Sequence, residues 1–226
     1  MPNMIARYYM DHGKWLYDNG VPEFFKKARS YLLSALENVE YLKSIDYGTW
    51  LFQMGELYHN FGFFCQGFPE HWKEGLKYCH DAIDYRKRYF SIMRTPDKEV
   101  AIAQSLVIFA ALELNIVHYT KQPQEVLLRN KQQLINKAKE AIEIYKRHID
   151  PNLEVSEQHY YEALQLLGTI EYEYFKRFGS IMDHNQAIEH LWQCYQWDKA
   201  HPNNSYHHVF QDHSVRILKG EKIITE

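Results

Sequence analysis

Between Pro22 and Lys43 the apolar residues Phe24, Phe25, Ala28, Leu32, Ala35, Leu36, Val39 and Leu42 recur at intervals of three and four, which places them on one face of an α-helix. The same period continues along most of the chain. Alternation of apolar and polar residues, the mark of a half-buried strand, never lasts more than a few positions. Breaks fall at Gly20-Val21-Pro22, Thr95-Pro96-Asp97, Lys121-Gln122-Pro123, Asp150-Pro151-Asn152 and His201-Pro202-Asn203-Asn204. At the second of these, Thr95 supplies a capping hydroxyl, Pro96 suits the first helical position, and Asp97 and Glu99 complement the positive end of the helix. Dividing the chain at the breaks predicts helices near 3–18, 22–44, 49–64, 70–92, 96–120, 124–149, 153–178, 185–201 and 205–219. Short connections make successive helices antiparallel neighbours. The expected fold is therefore all-α: stacked antiparallel hairpins at about 3–44, 49–92, 96–149 and 153–201, with a C-terminal capping helix at 205–219, in one domain spanning 1–226.

Composition narrows the functional classes. The 226 residues include only 10 Gly and 7 Pro beside 18 Tyr, 12 Phe, 5 Trp and 13 His, so turns are few and helix faces bulky. With 26 basic and 29 acidic side chains, the excess positive charge that nucleic-acid binding draws on is lacking. Cys65, Cys79 and Cys194 are odd in number and form no CxxC pair, which predicts reduced thiols. Residues Met1 to Tyr9 contain no apolar leader, so a cytoplasmic location is expected. The stretch Val100 to Tyr119 has the length of a membrane span, but Gln104, Ser105, Glu113, Asn115 and His118 interrupt it. It reads as a central buried helix, and no membrane span is expected.

On the second helix of each predicted hairpin a small residue lies seven positions after another core position: Ala28 then Ala35, Gly75 then Ala82, Leu134 then Ala141, and Ala187 then Cys194. Leu32, Cys79, Ala138 and Leu191 lie between them. Such a face lets neighbouring helices approach closely. The first helices carry a matching signal in Leu51, Met54, Gly55, Tyr58 and Gly62, which recurs in Leu164, Leu167 and Gly168, in Leu106, Phe109 and Ala110, and faintly around Ala6 and Tyr9. In these residues the chain resembles the tetratricopeptide-repeat family, with a spacing of roughly fifty residues against about 34 for the standard repeat. The resemblance implies a stack of helical hairpins with a concave surface that reads a peptide.

Several residue groups invite a chemical reading. Glu56 and His59 form a Glu-x-x-His, the spacing that places a carboxylate and an imidazole together in di-iron bundles, but the second such motif is missing. His80-Asp81 matches the dipeptide of HD-type phosphohydrolases, here inside a continuing helix where a surface position is expected. His207, His208, Asp212 and His213 gather on the C-terminal helix, where a capping role is expected. Arg86-Lys87-Arg88 with Arg94, and Lys137, Lys139, Lys146 and Arg147, read as solvated faces or helix ends. No nucleophile elbow or phosphate loop occurs, and neither a cofactor nor a metal is expected.

If Gly55, Ala110 and Gly168 are equivalent contact points, the groove side of the stack presents Phe52, Glu56, His59 and Asn60, then Gln104 and Asn115, then Glu162, Gln165, Thr169, Tyr172 and Glu173. Those residues favour a neutral or basic segment, with Phe52 and Tyr172 as anchors. The expected function is a non-enzymatic protein-interaction module whose partner is a protein or peptide. The alternatives are a helical metalloprotein or metalloenzyme using Glu56 and His59, and a self-associating structural component. An interaction through His59 is expected to respond to mild acidification.

Overall fold

Eight α-helices and no strand occur among the residues that the computed structural model describes, 23–120, 122–150, 154–201 and 207–223. The predicted helix at 3–18, the signal around Ala6 and Tyr9, and the Gly20-Val21-Pro22 break lie outside them, as do the side chains of His207, His208, Asp212 and His213. The helices are α1 (Glu23–Glu40), α2 (Tyr47–Cys65), α3 (Trp72–Ile92), α4 (Pro96–Tyr119), α5 (Gln124–Arg147), α6 (Glu154–Phe178), α7 (Ile181–Ala200) and α8 (His207–Gly220). The α-helical part of the predicted 22–44 segment stops at Glu40, and Tyr41–Ser44 continues as a 3-10 turn. Helix α2 starts before its predicted position because Asp46 caps it, accepting from the Thr49 N–H at 3.0 Å and the Thr49 hydroxyl at 2.7 Å. Helix α7 starts at Ile181, not 185. Gly179, at φ +70°, ends α6 in the left-handed region, and Ser180 then caps α7 by accepting from the Asp183 N–H.

The chain divides into two compact units, Met1–Ile116 and Val117–Glu226. No break in the hydrophobic pattern marks that boundary, which falls within α4, and the expected hairpin of 96–120 with 124–149 straddles it. In the first unit the periodic face of α1 (Phe25, Ala28, Leu32, Ala35, Val39) packs on Trp50, Leu51, Met54, Leu57, Phe61 and Phe64 of α2. Helices α2 and α3 cross where neither side presents a bulky residue. A Cβ on Gly62 would lie 2.3 Å from the Cys79 sulfur, and one on Gly75 would lie 2.6 Å from Cys65 Cβ and 3.0 Å from Leu112. In the second unit α5 packs on α6, α6 on α7, and α7 on α8. Leu191, Ile217 and Leu218 form the core of the α7–α8 contact. Tyr174, fully buried in α6, donates to the Leu127 carbonyl of α5 at 3.0 Å.

Helix α4 is long and apolar enough to cross a membrane by composition, and 67% of its most hydrophobic window is buried inside the protein. Ser105 and Glu113 are among those buried residues. The three thiols are free and buried, and burial pushes each of their pKa values up, so they are poor nucleophiles at neutral pH.

Candidate functional site

In the first unit Gly55 decides what lies opposite it. A Cβ there would sit 2.9 Å from Arg86 Cγ, so the bare glycine lets the arginine stem run across α2. Arg86 is only 4% exposed, a correction to its reading as part of a solvated basic face. Its guanidinium pairs with Glu56 at 2.5 Å, donates to the Ser105 hydroxyl at 2.8 Å, and donates to the Ala101 carbonyl. The Ser105 oxygen lies 3.1 Å from His59 Nδ1. Having accepted from Arg86, the hydroxyl has its own proton to give to that nitrogen. Burial, with the Arg86 charge second, holds the His59 pKa down to about 3. The ring therefore stays neutral through pH 5–8, against the expectation that it responds to mild acidification.

Glu56 and His59, the pair that suggested a metal, are thus joined to Arg86 and Ser105. A fixed guanidinium charge beside both works against a divalent cation. Among the described residues no three His, Cys, Asp or Glu side chains converge as metal ligands. The other groove candidates of this unit are half-buried. Phe52 packs on Tyr89 with Lys98 Nζ 4.7 Å above its ring, and Asn60, Gln104 and Asn115 are partly exposed. His80 is exposed on α3, as a surface position requires.

In the second unit the groove candidates are mostly engaged by the protein itself. Gln165 donates to Ser214 of α8 at 2.8 Å, and Tyr172 donates to Glu221, just beyond α8, at 2.6 Å. Glu221 also meets His184 of α7 at 3.0 Å. Tyr172 is therefore bound to the C-terminal segment and is not an open anchor. Thr169 and Glu173 are buried, each 9% exposed. Thr169 bonds back to the Gln165 carbonyl, whereas Glu173 meets His118 and Lys176 at 3.1 and 2.9 Å. Glu162 accepts from Gln158 and pairs with His159, remaining partly exposed.

An open cleft of about 330 Å³ lies elsewhere in this unit, and none of the groove candidates lines it. Helix α5 contributes Lys139, Ile142, Glu143 and Lys146, α6 contributes Tyr160, Leu164 and Leu167, and α7 contributes His190 and Gln193. Each set follows helical spacing, so one face of each helix forms one wall. Gly168 sets the approach of α7, since a Cβ there would lie 2.9 Å from Leu191 Cγ and 3.2 Å from His190 Cβ. The His190 ring is held by Glu171, whose Oε2 is 2.7 Å from Nδ1. Glu171 is 1% exposed, and its other oxygen has no hydrogen-bond partner among the described residues. In a neutral ring, a carboxylate acceptor at Nδ1 selects the tautomer that carries its hydrogen there and leaves Nε2 as an acceptor. Tyr160 also lines the cleft, its hydroxyl pKa raised first by burial and then by Cys194 and Glu143.

The chain matches no family model, no curated protein and no solved structure. Local spacing does not reveal the central pair, because Glu171 and His190 belong to different helices of a hairpin and come together only when it closes. Gly168 was legible as a close-contact position, and the residues facing it on the next helix are the signal that points to His190. Lys139 and Lys146 are exposed, as their reading as a solvated face requires, but they also rim the cleft.

Proposed function

We propose that the protein is a non-enzymatic interaction module that takes a segment of a partner protein into the cleft of its second unit. The observation that carries this reading is the composition of the cleft: an apolar floor of Ile142, Leu164 and Leu167 under a rim of lysine, glutamate, glutamine and an oriented imidazole. Ligand sites combine apolar walls with a few placed polar groups in this way. The reading includes a tetratricopeptide-like stack of hairpins. It is supported by the burial of the recurring positions, Ala28, Leu32 and Ala35, Cys79 and Ala82, Leu134, Ala138 and Ala141, and Ala187, Leu191 and Cys194. Buried, unpaired thiols support a reducing, cytoplasmic setting.

The test fills the cleft from its rim. Gln193 is exposed, so Gln193→Trp occupies the cleft without disturbing the core. Peptides selected from an unbiased library for saturable binding to the full chain are expected to lose affinity for this variant while its Tm is unchanged. Retained affinity contradicts the reading. Self-association is a second reading, favoured by Ile181 and Met182 at the start of α7, which are 74% and 68% exposed. Light scattering across a range of concentrations separates the two.

A further inference from the structure

We infer that the cleft selects an acidic segment bearing aliphatic side chains. The inference rests on the cleft being the binding site and adds the chemical class of its occupant. Lys139 and Lys146 are seven residues apart on α5, so they stand about 10 Å apart along its axis on one face. Both are exposed, and neither makes an ion pair among the described residues. Glu143 lies between them as the one acid among the described residues of the rim. A lysine four residues before a glutamate is the weaker helical arrangement, and Lys139 and Glu143 are not paired here. The rim therefore offers at least one excess positive charge to a ligand, next to an apolar floor that water solvates poorly.

The two lysines match carboxylates spaced along a strand-like segment, which advances about 3.3 Å per residue, so acids two to four residues apart reach both. Aliphatic side chains between them meet Leu164 and Leu167. His190 adds a third contact of a different kind. With Nδ1 donating to Glu171, its Nε2 accepts a backbone N–H from the segment, and Glu171 acts as the positioning residue. Charge complementarity of this kind sets selectivity and association rate more than total affinity, which suits a module that must choose among segments of similar apolar content.

Three acetylated decapeptides test the inference on the full chain by fluorescence anisotropy: alternating leucine with glutamate, with glutamine, or with lysine. The glutamate peptide is expected to bind about tenfold more tightly than the glutamine peptide, the lysine peptide weakest, with the gap narrowing at high salt. In the double variant Lys139→Glu, Lys146→Glu the order reverses, and in Lys139→Gln, Lys146→Gln the gap closes. These are exposed positions, so the fold survives the change, which circular dichroism checks. Equal binding of the glutamate and glutamine peptides, or tighter binding of the lysine peptide, overturns the selectivity while leaving the cleft as the site. Saturable binding by none of the three overturns both.

Discussion

Gly55 in α2 and Gly168 in α6 each make room for a polar residue of the helix that follows, Arg86 in one unit and His190 in the other. Around Arg86, Glu56, Ser105 and the Ala101 carbonyl receive the guanidinium, and His59 is locked neutral behind Ser105. The outcome is a polar tie between α2, α3 and α4. Around His190, Glu171 takes one ring nitrogen, and the residue lines the cleft. A buried polar group thus marks a site only where some of its bonding capacity is directed at accessible space. Glu56 and His59, the residues with the most conspicuous motif, are bonded to Arg86 and Ser105 within the protein, whereas His190, in no recognisable motif, lines the cleft.

The largest effect that separates the two regions is expected from Arg86→Ala. It removes the partner of Glu56 and the donors to Ser105 and Ala101, costing about 3–5 kcal/mol, toward the lower end because the Glu56 side chain is 36% exposed. Urea unfolding measures the loss, and peptide affinity of the folded fraction is expected to stay unchanged. A loss of affinity breaks the division of roles.

Acidification acts on the same network. His59 has its pKa lowered from 6.5 to about 3, so the unfolded chain binds a proton that the folded chain refuses. Stability from this group is full above pH 6.5 and is lost as the pH falls toward 3. Between pH 7 and pH 4 the loss is about 3 kcal/mol. His59→Gln is expected to flatten that part of the pH profile, and an unchanged slope contradicts the assignment.

Gly168→Ala and Gly55→Ala sharpen the comparison directly. Each forces a Cβ to within 2.9 Å of a neighbouring side chain and is expected to cost about 1–3 kcal/mol. Only Gly168→Ala, which pushes on His190, is expected also to weaken binding in the cleft. The smallest effect is expected from Tyr172→Phe, which removes the hydroxyl bonded to Glu221 and costs about 1 kcal/mol in thermal unfolding with no change in affinity.

The helices were legible because their apolar spacing survives into the buried faces: Ala28, Leu32 and Ala35 all lie in the core. Close-contact glycines were legible too, since Gly55, Gly62, Gly75 and Gly168 each face a side chain of another helix. The groove was not. Gln165 and Tyr172 were placed on an open side by helix geometry alone, and nothing in their own sequence shows that α8 folds back with Ser214 and Glu221 to meet them. The Glu171–His190 pair escaped for the same reason: each residue looks ordinary on its own helix, and only the closing of α6 on α7 makes them a unit.

The most direct test follows the imidazole resonances of His59 and His190 in the full chain during titration with the leucine–glutamate decapeptide. Saturable shifts at His190, with His59 unmoved, are the predicted result. Shifts at His59, or saturation of binding with His190 unmoved, would contradict the account.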